Sequence, residues 1–208
     1  MTKDLGSVSA SEWMVPLTLR EERAELVPLA AEHLEGLTAA ARDGELWKLW
    51  YTTVPTPEGM AAEIERRLGL QAVGFMLPFT VIEPVSGEVV GMTTYMNIDR
   101  VSRRVEIGST WYAKHVQRTR LNTEAKMLLL QHAFNTMGCI AVEFRTHFLN
   151  HQSRRAIERL GAKQDGILRN HSVAANGTMR DTCVYSVIAS EWPAVRAHLR
   201  GLMCVDSK

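Results

Sequence analysis

The sequence predicts a mixed α/β (α+β) domain built on one central sheet. Three observations carry this. Apolar alternation over 75–83, 89–97 and 103–112, interrupted by the turn Pro84-Val85-Ser86-Gly87, reads as an antiparallel meander. A long helix over 122–137 then feeds a strand in which Ile140, Val142 and Phe144 alternate, and a second helix over 150–160. Strand-like runs at 163–169 and 182–188 close the pattern as a hairpin. Strands and helices that share one chain in this order need a common sheet to bury their apolar faces.

The elements follow in order. Residues 1–14 read as a polar lead-in and 15–203 as a single domain. Residues 17–20 and 25–28 form a short strand pair or one bent strand. Residues 29–43, rich in Ala, Leu and Glu, predict a helix that Gly44 stops. An aromatic-dense stretch follows with Trp47, Trp50 and Tyr51, punctuated by Pro55 and Pro57. Met60, Ile64 and Leu68 at helical spacing predict a helix over 58–70. In the helix at 122–137, Met127, Leu130, Phe134 and Met137 share one face and Gly138 caps the end. Gly161 closes the helix at 150–160. Ser190 N-caps a last helix that contains Pro193 in its first turn.

Composition narrows the function classes. With 208 residues and 46% hydrophobic content, the chain can bury one sizeable core. A net charge of +1 gives no reason to expect a nucleic-acid partner or an anionic membrane. No apolar run approaches the roughly 18 residues of a membrane span, and the N-terminus shows no signal-peptide core. Cys139, Cys183 and Cys204 match neither a zinc pattern nor a disulfide framework, which fits a reducing cytoplasm. His147 and His151 lack a third ligand, so no metal is expected, and Cys183 has no base beside it.

The most informative segment runs from Trp111 to Ala125. It reads as a strand end, a polar loop and the first turn of a helix. Between Tyr112 and Glu124 stand Lys114, His115, Arg118 and Arg120 and no acid. Free N–H groups and the positive end of a helix dipole meet at such a place, so a phosphate-bearing ligand is a natural guest. A solvated basic turn is the alternative.

Four stretches together resemble the GNAT superfamily of acyl-CoA-dependent N-acetyltransferases, and within it the RimJ/RimL branch. They are Val105-Glu106-Ile107-Gly108, then Asn122-Thr123-Glu124-Ala125-Lys126, then Asn150-His151-Gln152-Ser153-Arg154 with Ala156-Ile157-Glu158-Arg159-Leu160-Gly161-Ala162, and last Gly166-Ile167-Leu168-Arg169 with 180–187. The resemblance covers about residues 15–195. It implies a mostly antiparallel sheet of about seven strands, splayed in the middle, with helices on both faces. It implies acetyl-CoA as co-substrate, no metal, and a primary amine as acceptor: a protein N-terminus or a small molecule. A homodimer is compatible with the apolar tail at 192–203. The alternative is a non-catalytic acyl-CoA-binding or protein-interaction module on the same fold.

By this resemblance CoA lies along Trp111, Tyr112 and Ala113, whose backbone would hold the pantetheine arm and supply an oxyanion donor, and along Gln117, Arg118, Thr119, Arg120, Leu121, Asn122 and Thr123 at its pyrophosphate. Arg118 and Arg120 stand where the family usually carries glycines. Glycine takes positive φ without strain and arginine does not. Either the loop runs differently here, or its N–H cradle survives with the side chains turned outward, where one guanidinium would reach a phosphate. Asn150 would cap its helix and touch the CoA arm, and Arg154 would assist at the phosphates. Glu106 is the expected base, set by alternation on the face opposite Val105 and Ile107; the alternative is an ordinary glutamate paired with Arg103 or Arg104. Ser153 is the expected proton donor to the leaving thiolate, or simply a first-turn residue. Trp47, Trp50, Tyr51, Tyr95 and Asn97 are expected around the acceptor, with Asp99 near its charge; ordinary core aromatics are the alternative.

Overall fold

The computed structural model describes Trp13 and residues 15–205. The expected lead-in lies outside the described residues, apart from Trp13, which is buried in the core. The strands are β1 (Leu19–Arg20), β2 (Glu25–Pro28), β3 (Met76–Glu83), β4 (Glu88–Asp99), β5 (Arg104–Tyr112), β6 (Ala141–His147), β7 (Lys163–Val173) and β8 (Met179–Ile188). The helices are α1 (Leu34–Arg42), α2 (Met60–Ala72), α3 (Leu121–Asn135), α4 (His151–Arg159) and α5 (Trp192–Val205). All strands join one sheet in the order β1-β2-β3-β4-β5-β6-β8-β7. Every pairing is antiparallel except β5 with β6. Among the described residues the strand count is eight rather than about seven because 17–28 forms two paired strands, not one bent one; β1 has only two residues, too few to show a period.

Strand alternation sorts the side chains. Tyr95 of β4 lies opposite Ile107 of β5, and Met96 opposite Glu106. Opposite residues share a face, so Tyr95 and Ile107 point one way and Glu106 the other. Tyr95 donates to the Leu129 carbonyl at 2.5 Å, which identifies its face as the one that α3 covers. Glu143 pairs in parallel with Glu106, so Glu143, Arg145 and His147 of β6 point to the Glu106 side. Val142, Phe144 and Thr146 point to the α3 side.

Helix α3 is buried on more faces than its apolar period suggests. Leu121, Ala133 and every residue from Thr123 to Leu130 are buried. The reason is a second cover: Phe134 stacks on Trp192 of α5 with ring centroids 5.3 Å apart, and Trp192 Nε1 donates to Asn135 Oδ1 at 3.1 Å. Trp192, Val195 and Leu199 of the apolar tail are thus buried within the chain itself.

One buried side chain in α3 is a lysine. Lys126 Nζ donates to Thr110 Oγ1 at 2.7 Å and to Thr93 Oγ1 at 3.1 Å. Burial without a counter-ion lowers its pKa from 10.5 to about 7. Above about 10.5 both the folded and the unfolded lysine are neutral. As pH falls from about 10.5 to about 7 the unfolded chain binds a proton that the folded one refuses, so stability is lost across that window and levels off below it. Removing the amine leaves Thr93 and Thr110 bonded to each other at 2.8 Å. Lys126→Met is therefore expected to melt above the wild type at neutral pH, by roughly 2–4 °C per kcal/mol regained. The gap should shrink as pH rises toward 10.5. Thermal melts across that range check this, and a variant that melts lower at neutral pH contradicts it.

Candidate active site

The site begins with a bulge. Between Gly108 and Trp111, β5 holds one residue more than β4 does between Thr94 and Met92. Ser109 absorbs the excess in the left-handed region, at φ 48°. A bulge bends its strand and increases local twist. Pairing of β5 with β6 accordingly stops at Glu106–Glu143, and beyond it the two strands part while β6 stays paired with β8 as far as His147. Among the described residues the backbone of β5 from Ile107 onward has no strand partner on that side.

Glu106 sits at the mouth of this gap, 5% exposed. Its Oε2 accepts from Asn97 Nδ2 at 2.7 Å, and Arg145 Nε lies 3.5 Å away. Asn97 reaches it from a second irregularity, in β4, where Asn97 itself is left-handed at φ 48°. Asparagine is among the residues that tolerate this conformation. Gly108 makes the room, because a Cβ there would stand 2.8 Å from Glu106 Oε1. Burial raises the Glu106 pKa above the ordinary carboxylate value; the Asn97 bond and Arg145 oppose that, Glu143 adds to it and Arg180 opposes it. Glu106 thus pairs with Arg145 and not with Arg103 or Arg104. Arg104 serves Glu143, with Nη2 at 2.5 Å and Nε at 3.0 Å, and Arg145 Nη2 reaches Glu143 at 3.0 Å. Burial disfavours the charged Glu143, yet these two guanidiniums hold it below the usual carboxylate range.

An aromatic wall stands on the same side. Trp50 meets His147 edge to face at 5.1 Å and Tyr51 at 5.6 Å, and Tyr51 and His147 are 6.2 Å apart. His147 is buried. Its Nδ1 accepts the Leu149 N–H at 3.0 Å, which puts the proton of the neutral ring on Nε2. Nε2 is buried and has no partner among the described residues. Burial, then Arg180, lower the His147 pKa, against a smaller pull from Asp181. Trp47 is half-buried beside this wall in sequence.

Two acceptor expectations are corrected. Tyr95 is fully buried on the α3 face, bonded to Leu129 and edge-on to Phe79, because alternation puts it opposite Ile107 rather than Glu106. Asp99 is exposed and accepts the Ser102 N–H in the following turn. Asn97 is at the site, but its amide is engaged by Glu106.

The basic loop keeps the course that glycines would give it. Arg118 is exposed and left-handed, at φ 63°. Thr119 Oγ1 donates to the Val116 carbonyl at 2.7 Å and accepts the Leu121 N–H at 3.3 Å. The Asn122 and Thr123 N–H groups in the first turn of α3 have no acceptor among the described residues. Other expected contacts are already spent. The Ala113 N–H bonds Val90 O at 2.8 Å, and Gln117 Nε2 donates to the Tyr112 carbonyl at 2.9 Å. The Trp111 and Tyr112 side chains are both buried. Arg120 turns to acids, with Nη2 3.4 Å from Glu124 and 4.0 Å from Glu22. Arg154 turns away from the loop: its Nε donates to Tyr185 Oη at 3.0 Å, and its guanidinium lies 5.0 Å from the Phe148 ring centroid.

In α4, Asn150 Oδ1 caps the helix by accepting the Ser153 N–H at 3.0 Å. The Ser153 hydroxyl has no partner among the described residues. Tyr185 of β8 donates to Glu158, which places α4 on the α3 side of the sheet. Glu106 and Ser153 therefore flank the gap from opposite faces and are not in contact.

The family model described as "Acetyltransferase (GNAT) domain" matches residues 23–163. This chain belongs to the GNAT acetyltransferase family. A solved GCN5-related N-acetyltransferase from Brucella melitensis is 33% identical, with a TM-score of 0.79, over 90% of this chain and 85% of that one. The Bacillus subtilis (strain 168) protein YdaF, provisionally named a ribosomal N-acetyltransferase, is 32% identical over 51% of this chain; the match spans 57% of YdaF, a little over half its length. Mycobacterium smegmatis RimJ, solved with CoA-disulfide, shares the fold at a TM-score of 0.77 and 20% identity, over 91% of this chain and 96% of that one.

Within this family frame the site shows residues that sequence reasoning overlooked. Gly108 gives space to the Glu106 carboxylate, and Arg145 and His147 share its face. Arg159 of α4 reaches the first turn of α3, with Nη1 3.4 Å from Thr123 Oγ1. Only a period-2 reading of β6 in register with β5 puts Arg145 and His147 on the face of Glu106. At Arg118, strain of about 1–2 kcal/mol accompanies a left-handed non-glycine residue. Arg118→Gly is expected to gain up to about 1 kcal/mol after the extra chain entropy is offset, and Arg118→Ala to gain nothing. Urea unfolding of the two variants checks this, and equal effects would contradict the strained-loop reading.

Proposed function

We propose that this acetyltransferase moves acetyl from acetyl-CoA directly to a primary amine in a ternary complex, with Glu106 as the base. The observation that carries the reading is the buried Glu106 carboxylate, aimed by Asn97 at the mouth of the β5–β6 gap. An attacking amine must be neutral, and an α-amine has a pKa near 7.8. A carboxylate whose pKa burial has raised accepts that proton more readily than an exposed one. It acts on the amine directly or through a water.

Acetyl-CoA supplies the activated acyl group as a thioester. The unpaired backbone of β5 is suited to the pantetheine amides, as a sheet edge is to an added strand. The backbone N–H of Tyr112, which alternation turns away from β4 while that of Ala113 bonds Val90, serves the developing oxyanion. The free N–H groups of Asn122 and Thr123, with Arg118 and Arg159 nearby, suit the phosphates. Ser153, across the gap, gives its proton or a hydrogen bond to the departing thiolate. Trp50, Tyr51 and His147 wall the acceptor side. The name carried by YdaF supports a protein amine as one acceptor class, and an open aromatic wall also suits a small amine.

Glu106→Gln is expected to lower kcat/KM by about 10²–10⁴. Its thermal shift with CoA should persist. The variant should be no less stable than wild type at neutral pH, since a buried carboxylate with a raised pKa loses stability as pH rises through that pKa. Wild-type kcat/KM should fall on the acid side through a pKa above 4.5. Thiol release from acetyl-CoA with a panel of amines and short peptides reads both effects. Turnover within a few-fold of wild type in the variant would remove Glu106 from the chemistry.

A further inference from the structure

Among the described residues that β5, β6 and β8 place on the Glu106 face, one cation has no counter-ion. Arg104 and Arg145 are neutralised by Glu143 and Glu106. Arg180 of β8 is half-buried on that face. Its Nε donates to Thr182 Oγ1 at 3.1 Å, and Thr182 stands opposite the buried His147 in the β6–β8 register. The guanidinium is close enough to both Glu106 and His147 to shift their titration. Among the described residues it makes no ion pair, and neither terminal nitrogen has an acceptor. Its sequence neighbour Asp181 is no substitute: alternation turns that carboxylate to the other face, where Arg169 Nε holds it at 2.5 Å and the Asn170 N–H at 2.8 Å.

On the cleft face β5, β6 and β8 therefore place three guanidiniums, Arg104, Arg145 and Arg180, against two carboxylates, Glu106 and Glu143, while Arg67 of α2 on the same face is paired with Glu63. A partly desolvated cation without a partner is costly in an empty site and useful in a filled one. Four N–H donors in a planar fork match a carboxylate in bidentate fashion. The orphan His147 Nε2–H, inside the adjoining aromatic wall, is a second donor for an anion. The same balance disfavours a polycationic amine, which would bring further positive charge to a cationic face.

We infer that the acceptor is an amine that carries a carboxylate a few atoms from its reacting nitrogen, and that Arg180 binds this carboxylate while Glu106 takes the amine proton. This rests on the transferase reading of the site. Two sources share that chemistry: a free amino acid, and a peptide whose first residues include Asp or Glu.

The test uses acceptor pairs that differ in one carboxylate, with kcat/KM referred to the concentration of neutral amine, because a neighbouring carboxylate also makes the amine more basic. Glycine is compared with glycinamide, and peptides beginning with Asp or Glu with the same peptides beginning with Asn or Gln, in the thiol-release assay with wild type and Arg180→Gln. A charge-assisted bond is worth about 1.5–3 kcal/mol, so wild type should favour the carboxylated member by about 10- to 100-fold in kcat/KM. The variant should lose that preference through KM, with the neutral members changed less than about threefold and CoA binding intact. Whichever pair shows the preference identifies the source. Transfer without a preference for the carboxylate overturns the proposal alone. So does an equal loss on both members in Arg180→Gln with a displaced acid limb, which would mean that Arg180 only tunes Glu106. No transfer to any acceptor overturns the transferase reading and this proposal together.

Discussion

Between Gly108 and Trp111 β5 carries one residue more than the strand it pairs with, and the geometry of the site depends on that excess. A strand that bends at a bulge cannot stay in register with both neighbours. Here it keeps β4 and releases β6, so a gap opens along its length. The gap places unpaired backbone beside the N-terminus of α3, and it puts Glu106 at the last paired position, where the carboxylate faces the opening rather than a neighbouring strand. Gly91 and Gly108 serve the same constraint. A Cβ on Gly91 would meet the Trp111 carbonyl at 2.2 Å, and one on Gly108 would displace the Glu106 carboxylate.

The two faces of the sheet treat buried charge differently. On the α3 side Lys126 has only two threonine hydroxyls, and burial moves it toward the neutral amine. On the other side Glu106 is buried too, but an amide donates to its carboxylate and a guanidinium stands beside it. The first arrangement costs stability and closes the core. The second leaves a carboxylate whose proton affinity is raised, on the same face as a wall of rings and as Arg180. Stability and chemistry are thus separated by the thickness of one sheet.

Much of this was legible from residue types. The glycines at 44, 138 and 161 mark helix ends and take positive φ there. Asn150 three residues before Ser153 is a cap in the structure as in the pattern. Glu106 follows from alternation against Val105 and Ile107. Tyr95 was misplaced because its face depends on which β5 residue lies opposite it, and register is not written in β4 alone. Arg145, His147 and Arg180 are invisible as a group in the sequence: they come from β6 and β8, and only the parallel β5–β6 pairing and the antiparallel β6–β8 pairing bring them onto the face of Glu106.

By itself the sequence determined the order of the elements, the single sheet, the helix at the basic loop and the identity of the candidate base, because those follow from local period and from residues whose conformational limits are strong. Tertiary structure decided where the charges went. Arg118 accepts a glycine-like backbone because the flanking strand and helix impose it, while Arg120 is drawn to Glu22 as well as to its own helix's Glu124, and Arg154 to the Tyr185 phenol of β8 as well as to nearby Phe148. A long cationic side chain goes where partners and solvent permit, and those are set only when distant strands have paired.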